Sequence, residues 1–486
     1  MSLVGPRFRI PLLTALALTL LALLLLNGLS GVGLLGPDEP RYASIGREMA
    51  RSGDWVTPRL WGQPWFEKPP LLYWLVALGR KSGLGDDLAP RVPLVLLSVA
   101  FLAFQFFALR RLYDDFTAST ATLVLATTAG WTAYTQVAVT DLPLAVTFTA
   151  ALLCGMLWMQ TASRTALYAT AVFFGLSLLA KGLVPAVLAL PFLWLNRRQW
   201  RSLLLPAAAA LLIAAPWFAA MLLLHGWAFF DEFFIRHHLS RFTSGGLMHV
   251  QPVWFYIPVL VGGLFPWPVL LSQLGPSAWL DRRLRVPALT FAFGFLFFSL
   301  SSNKLPGYIL PLLPSLAILI AAGSRESKHL RRSLAITALL VGLCPVVVSI
   351  LPESLLYGIR RAEWGELHWE YFAFTAPLAA AAWWLDARGR RTPAVLLVAA
   401  LAASGLWYVK HSAAPVLDEL VSARGLWRKV QPLAGRTCID DIHRAWRYGL
   451  NYYSGKPLPD CQTEPRPLSL TQQGGSIPVL SQRIGE

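Results

Sequence analysis

Carboxylates and cations recur at the ends of apolar runs in this chain, in groupings that suit transfer of an anionic leaving group. Asp38 and Glu39 stand immediately after the first apolar run, with Arg41 and Tyr42 close behind. Glu67 and Lys68 follow, braced by Pro69 and Pro70, whose rings fix the backbone beside charges that would otherwise be mobile. Asp141 sits at the edge of a later run, and the segments Arg236-His237-His238-Leu239-Ser240-Arg241 and Lys304-Leu305-Pro306-Gly307-Tyr308 complete the set. Carboxylates such as Asp38, Glu39 and Asp141, brought to one membrane face, could meet a reacting hydroxyl or phosphate, where an Asp serves as general base or holds the acceptor. Lys68 is a natural phosphate partner, and Arg241 adds a fork of donors for the same anion. Displacing a sugar from a lipid phosphate needs no general acid, because the departing phosphate is already a stable anion. It needs cations where charge accumulates, and Lys68, Arg241 and Lys304 are of that kind.

Each group also has a plainer reading. Asp38 precedes a helix-like stretch, Ala43–Ala50, and Asp is a common helix cap. His238 and Arg241 share a face if their segment is helical, but a basic interfacial cluster also binds headgroups without specificity. Tyr308 and many of the 20 Trp fit an interfacial aromatic belt. Glu67 and His238 offer one oxygen and one nitrogen to a divalent metal, without the close ligand spacing that marks a dedicated site.

The elements that must position these residues are membrane spans. The chain has 486 residues, is 55% hydrophobic and 14% charged, and carries repeated apolar runs of bilayer-spanning length. Its net charge of +16 lies in short loops between those runs, which is the pattern of membrane orientation rather than a nucleic-acid face. The first run, Ile10–Leu35, follows Arg7 and Arg9 and reads as a retained span. Leu71–Gly79 is too short to cross and reads as an interfacial helix. Spans follow at Val92–Leu109, Thr117–Val137, Leu142–Met159, Ala166–Ala180, Leu183–Leu195, Leu203–Leu224 and Val253–Leu271. Ala288–Leu300, Tyr308–Ala321, Leu334–Leu351, Phe372–Leu385 and Ala394–Val409 complete the ladder. That makes about thirteen spans, with Arg or Lys in every inward loop as the positive-inside rule requires.

This parity puts the 36–70 stretch, Asp141, His238–Arg241, Lys304 and the tail on one outer side. The expected architecture is an all-α polytopic membrane protein with outer-face interfacial helices, spanning 1–409, and a small extramembrane mixed α/β domain over 410–486. The outer loops at 36–91 and 225–252 carry the chemistry. Cys154 and Cys344 lie in apolar runs as small packing residues, while Cys438 and Cys461 could pair if the tail is outside the membrane. No P-loop or dinucleotide fingerprint is present, so no nucleotide is expected.

At these residues the sequence resembles the aminoarabinose lipid A transferase group of the GT-C glycosyltransferases, related to protein O-mannosyltransferases. The matching pieces are Asp38-Glu39-Pro40-Arg41-Tyr42-Ala43, Arg47-Glu48-Met49, Ser52-Gly53-Asp54-Trp55 and Phe66-Glu67-Lys68-Pro69. They continue with Asp141, Lys181-Gly182, His238 and Arg241-Phe242, and Lys304-Leu305-Pro306 with Tyr308-Ile309-Leu310, in family order. The resemblance implies a GT-C bundle in a bacterial inner membrane, with a polyprenyl-phosphate (undecaprenyl-phosphate) sugar donor and a lipid or glycan acceptor meeting at the periplasmic face, as in lipid A modification. By the same resemblance Asp38 is the principal catalytic carboxylate and Asp141 the second acid. Lys68 and Arg241 bind the lipid phosphate with Tyr308 nearby, and Glu67 and His238 contribute to a divalent-metal site (zinc, magnesium or manganese). Arg41, Tyr42 and Lys304 are further candidates for the phosphate, and Glu39 for catalysis.

The competing expectation is a sugar-lipid transporter or flippase, which would need a similar number of spans. Transporters place ionisable groups near mid-membrane on broken helices. Here they cluster at span ends on one side, which favours surface chemistry.

Overall fold

A computed structural model describes residues 12–239, 250–276, 279, 281–359 and 361–482. Helices dominate. The N-terminal half contains α1 (Leu12–Leu26), α2 (Asp38–Ser52), α3 (Leu71–Lys81), α4 (Val92–Leu112), α5 (Asp115–Ala126), α6 (Ala129–Thr135), α7 (Asp141–Thr161), α8 (Arg164–Lys181), α9 (Val184–Leu188), α10 (Leu190–Leu195) and α11 (Trp200–Phe230). The remainder contains α12 (Tyr256–Gly263), α13 (Arg285–Leu300), α14 (Leu313–Ser324), α15 (Leu330–Leu340), α16 (Cys344–Tyr357), α17 (Glu370–Ala387), α18 (Arg391–Leu420), α19 (Ala423–Val430) and α20 (Arg444–Ser454).

Among the described residues, 7 helical segments are long and apolar enough to cross a membrane. They lie at Val92–Leu112, Asp141–Thr161, Arg197–Arg236, Arg282–Leu300, Pro306–Ser324, Leu330–Tyr357 and Arg391–Leu420. The chain is therefore a multi-pass helical membrane protein. Several expected single spans are broken. Thr117–Val137 is interrupted at Thr127-Thr128, where Thr127 Oγ1 donates to Leu123 O and the Thr128 hydroxyl accepts from Trp131 N to start α6. Leu183–Leu195 divides into α9 and α10, each with a Pro in its first turn. Val253–Leu271 contains α12 and a separate turn of 3₁₀ helix over Pro268–Gln273. Threonine hydroxyls that compete for backbone groups and prolines that lack an N–H account for the first two breaks.

Two short helices carry the first loop. α2 begins with Asp38 and Glu39 in its first turn, where the exposed N–H groups favour negative charge, and stops at Gly53, whose φ of 75° suits glycine. α3 has 11 residues, too few to cross, and buries Leu72, Tyr73, Val76 and Ala77 against α2 and the bundle. A hairpin of β1 (Arg59–Leu60) and β2 (Gln63–Pro64) lies between them.

The division expected at 409/410 falls inside α18, which continues to Leu420 without interruption. The polar tail builds its own small core from residues of α19, α20 and a sheet of β3 (Thr437–Ile439), β4 (Leu468–Thr471) and β5 (Val479–Gln482). Strand order is β3-β4-β5, parallel then antiparallel, and Cys438 is joined to Cys461.

This tail is fastened to the first loop by polar contacts, most of them part-buried. Arg424 donates to Asp418 Oδ1 at 2.9 Å, to the carbonyls of Ser30 and Gly31 at 2.8 and 3.0 Å, and to Asp87 Oδ2 at 2.5 Å. Tyr453 OH receives Leu34 N at 2.7 Å and donates to Asp87 Oδ1 at 2.8 Å. Arg47 on α2 donates to Tyr452 O at 2.8 Å, with its guanidinium 4.4 Å from the Tyr452 ring centroid. Removing Arg424 leaves Asp418 and Asp87, both part-buried, without their shared cation. Arg424→Ala is expected to cost about 1.5–3 kcal/mol. It should lower the thermal midpoint in detergent and expose the tail to limited proteolysis, whereas an unchanged digestion pattern would show that other contacts hold the tail.

Candidate active site

Adjacent acids at 38 and 39 point to different fates. Glu39 is fully buried, and both its oxygens are saturated. Arg91 grips it bidentately, Nε to Oε1 at 2.7 Å and Nη2 to Oε2 at 2.8 Å. The backbone N–H groups of Ala138 and Leu35 donate to the same two oxygens at 3.0 and 2.7 Å. Arg91 spends its other N–H groups on the carbonyls of Leu29, Val32 and Gly33 at 2.7, 2.5 and 2.9 Å. Glu39 thus has no free lone pair directed at a substrate. These contacts suit a positioning role for Glu39, which the sequence offered as a candidate for catalysis.

Asp38, one residue earlier, is the opposite case. Its side chain is 40% exposed, and Oδ1 accepts from Arg41 Nη2 at 2.6 Å. A carboxylate at a helix start, accessible and steadied through one oxygen, retains the other for a proton or an acceptor.

Arg41 is buried and doubly neutralised, by Asp38 and by Glu67 Oε2 at 3.0 Å. Its guanidinium also lies 5.1 to 5.7 Å from the ring centroids of Tyr42, Trp65 and Tyr448. Tyr42 is buried against Tyr73, ring centroids 5.8 Å apart. Burial first, then the negative charges of Asp38 and Glu67, hold the Tyr42 phenol well above its usual pKa, so it stays protonated. Arg41 and Tyr42 were expected to bind lipid phosphate. Arg41 bridges the two acids, and its Nε has no partner among the described residues.

Glu67 is buried, with Oε1 3.3 Å from Lys68 Nζ and Oε2 held by Arg41. His238 and Arg241 bear on the expected metal and phosphate sites. The side chain of His238 and the whole of Arg241 lie outside the described residues. Among the described residues no group of three or more His, Cys, Asp or Glu could hold a metal ion.

Asp141 opens α7 and lies in a second cluster. Lys181 Nζ, from the last turn of α8, sits 2.5 Å from Asp141 Oδ1 and 4.6 Å from the Tyr308 ring centroid. Gly307 is forced by this arrangement, since a Cβ there would lie 2.8 Å from Tyr134 Oη and 2.9 Å from Asp141 Cγ. Tyr134 lies within electrostatic reach of both Asp141 and Asp38, which links the two clusters. Lys304 is buried, and it donates to the carbonyls of Ser301 and Gln251 at 2.5 and 2.9 Å. It fastens the 250–251 segment to the turn before Tyr308.

The structure therefore brings together Asp38, Arg41, Tyr42, Glu67 and Lys68 in one cluster, and Asp141 with Tyr308 in a second. Sequence reasoning assigned no role to Arg91, Lys181, Tyr134 or Tyr448. Four donors around Arg41 have no partner among the described residues, namely Arg41 Nε, Trp61 Nε1, Trp65 Nε1 and Tyr73 OH. Unpaired donors beside an accessible carboxylate suit a ligand rich in acceptors, such as a sugar or a phosphate.

Replacing Arg91 by Met would strand Glu39 as a buried, unpaired charge, at an expected cost of about 3–5 kcal/mol. Adding Glu39→Gln should recover a large part of that loss. Chemical denaturation of the single and double variants checks this, and equal stability of wild type and Arg91→Met would remove the pair from its structural role.

Residues 67–223 match the dolichyl-phosphate-mannose-protein mannosyltransferase family. The chain is 32% identical to an undecaprenyl phosphate-alpha-4-amino-4-deoxy-L-arabinose arabinosyl transferase of Pseudomonas aeruginosa, covering 96% of this chain and 92% of that protein. The crystal structure of ArnT from Cupriavidus metallidurans bound to undecaprenyl phosphate superposes with a TM-score of 0.71 at 25% identity, over 95% of this chain and 86% of that one. Arabinosyltransferase EmbB from Mycobacterium smegmatis shares the fold at a TM-score of 0.50 and 14% identity, over 91% of this chain and 43% of that one. At 32% identity over 96% of its length, the chain belongs to the undecaprenyl phosphate-aminoarabinose arabinosyl transferase family of membrane glycosyltransferases.

Proposed function

We propose that this protein moves a sugar, of the 4-amino-4-deoxyarabinose type, from undecaprenyl phosphate to a lipid acceptor such as lipid A, at the periplasmic face of a bacterial inner membrane. The names of the relatives support the donor and the sugar. The basic loops support an orientation with the 36–91 and 225–252 loops, and the tail, outside a bundle of about thirteen spans. Residues 1–409 form the catalytic membrane unit in this reading, and the tail packs on its outer face.

The single observation that carries the reading is the contrast between Asp38, with one oxygen available, and Glu39, wholly enclosed. In the reaction, an acceptor oxygen forms a bond to the anomeric carbon while the bond from that carbon to the phosphate oxygen breaks. The electron pair leaves with undecaprenyl phosphate, and the anomeric configuration inverts. If the acceptor is a hydroxyl, Asp38 takes its proton; if it is a phosphate, its oxygen is already ionised and Asp38 positions it. Lys68 and Arg241 stabilise the charge that builds on the departing phosphate, with Tyr308 nearby and Asp141 lining the acceptor side. Lys181 fixes the orientation of Asp141. Charge clustered at helix ends rather than mid-membrane favours this over transport.

Purified protein in detergent, given undecaprenyl-phosphate aminoarabinose and lipid A, should form glycosylated product without any gradient. Absence of product with this pair, but turnover with another sugar or acceptor, would redirect the substrate assignment; no turnover with any lipid-phosphate sugar would overturn it. Lys68→Ala should weaken donor binding roughly tenfold, about 1.4 kcal/mol. Unchanged lipid affinity would remove Lys68 from the phosphate site. Coordination of a divalent cation by Glu67 and His238 is a separate proposal. Stoichiometric metal in the wild type that falls in Glu67→Ala supports it, and equal content excludes Glu67 as a ligand.

A further inference from the structure

A cavity of about 810 Å³ lies at the seam between the membrane bundle and the tail, lined by the 28–31 turn, the far end of α18, α19 and β5. Its residues divide by chemistry. Ala414, Pro415, Leu426, Val430 and the Ile477–Leu480 segment give an apolar wall. Lys410, His411, Arg428 and Lys429 supply cationic or potentially cationic groups.

The acids that face them are Asp418 and Glu419. Asp418 is already neutralised by Arg424, 2.9 Å away, and Arg428 reaches it at 3.5 Å. Glu419 is exposed and has no ion-pair partner among the described residues. Lys410, Arg428 and Lys429 outnumber the two acids of the lining, Asp418 and Glu419, by one.

Position narrows the ligand. Gly28 and Gly31 follow the end of α1, and Lys410 follows the apolar stretch of α18, so the cavity opens where two apolar helices leave the membrane. Trp407 is 47% exposed and its ring lies 4.3 Å from His411, as expected of an aromatic at the headgroup level. Lys410 Nζ donates to Asn27 O, which ties α18 to the exit of α1.

We infer that this seam is a binding site for an anionic phospholipid, with its phosphate among Lys410, Arg428 and Lys429 and an acyl chain along the apolar wall. An apolar wall beside a cationic rim at a membrane boundary matches that chemistry at both ends. The site is separate from Asp38, but it shares the 28–33 turn, whose carbonyls hold Arg91 and Arg424. A lipid seated there would stabilise the docking of the tail.

The test uses the full protein, delipidated in neutral detergent, with native mass spectrometry and thermal melting. Dioleoyl phosphatidylglycerol should be retained and raise the melting temperature. Dioleoyl phosphatidylcholine and soluble glycerol 1-phosphate should do neither at the same concentration. Arg428→Gln with Lys429→Gln, both at exposed positions, should lower phosphatidylglycerol affinity at least fivefold, and Glu419→Gln, which removes the unpaired acid, should raise it. Equal retention of the phosphatidylcholine lipid would mean an apolar groove without headgroup recognition. An equal shift with glycerol 1-phosphate would mean an anion site without a lipid. Either result, or unchanged affinity in both sets of variants, would overturn the inference.

Discussion

The bidentate contact between Arg91 and Glu39 is the constraint on which the rest of the site depends. Arg91 stands at the start of α4 and Glu39 in the first turn of α2, 52 residues apart in sequence. Their contact also fixes the 29–33 turn through three carbonyls, and the turn before Asp141 through the Ala138 N–H. Such a pair is costly to desolvate, and it is tolerated only because every lone pair and N–H is used. What it provides is register. Asp38 is carried on the same helical turn as Glu39, so an enclosed, immobile acid sets the position of an accessible one.

The remaining charges divide into two clusters that do different work. Around Asp38, Arg41 is shared with Glu67, and Glu67 in turn faces Lys68. Cation and acid alternate, so the departing phosphate would meet Lys68 without an uncompensated positive field elsewhere. Around Asp141, Lys181 and Gly307 add a second hold on the carboxylate. Tyr448 brings the tail into contact with the first cluster, its ring facing both Arg41 and Trp61. The tail is therefore a wall of the site as well as a covering domain.

Much of this was legible in the sequence because hydrophobicity and charge act locally. The apolar runs announced a multi-pass bundle, α3 was too short to cross, and the Asp38, Glu67 and Asp141 motifs marked the places where charged side chains cluster. Long-range pairing was not legible. Glu39 and Asp38 look alike as adjacent acids, and only the distant Arg91 separates their roles. Arg91 carried one signal: the span ladder read from the sequence puts it at an outer span end, where the positive-inside rule gives no reason for a cation. Lys181 was visible as part of a motif, but its partner is 40 residues away. The breaks at Thr127-Thr128 and between α9 and α10 arise from hydroxyls and prolines inside apolar runs, which hydropathy alone averages away.

The central claim is that Asp38 reacts and Glu39 only places it. Single-turnover sugar transfer by Asp38→Asn, Glu39→Gln and the double variant tests it most directly, with folding of each verified first. If Glu39 acts through Asp38, the double variant should match Asp38→Asn within a few-fold, because placement has nothing left to act on once the reacting carboxylate is gone. A double variant whose loss is the product of the two single losses would contradict the account and give Glu39 a chemical role of its own.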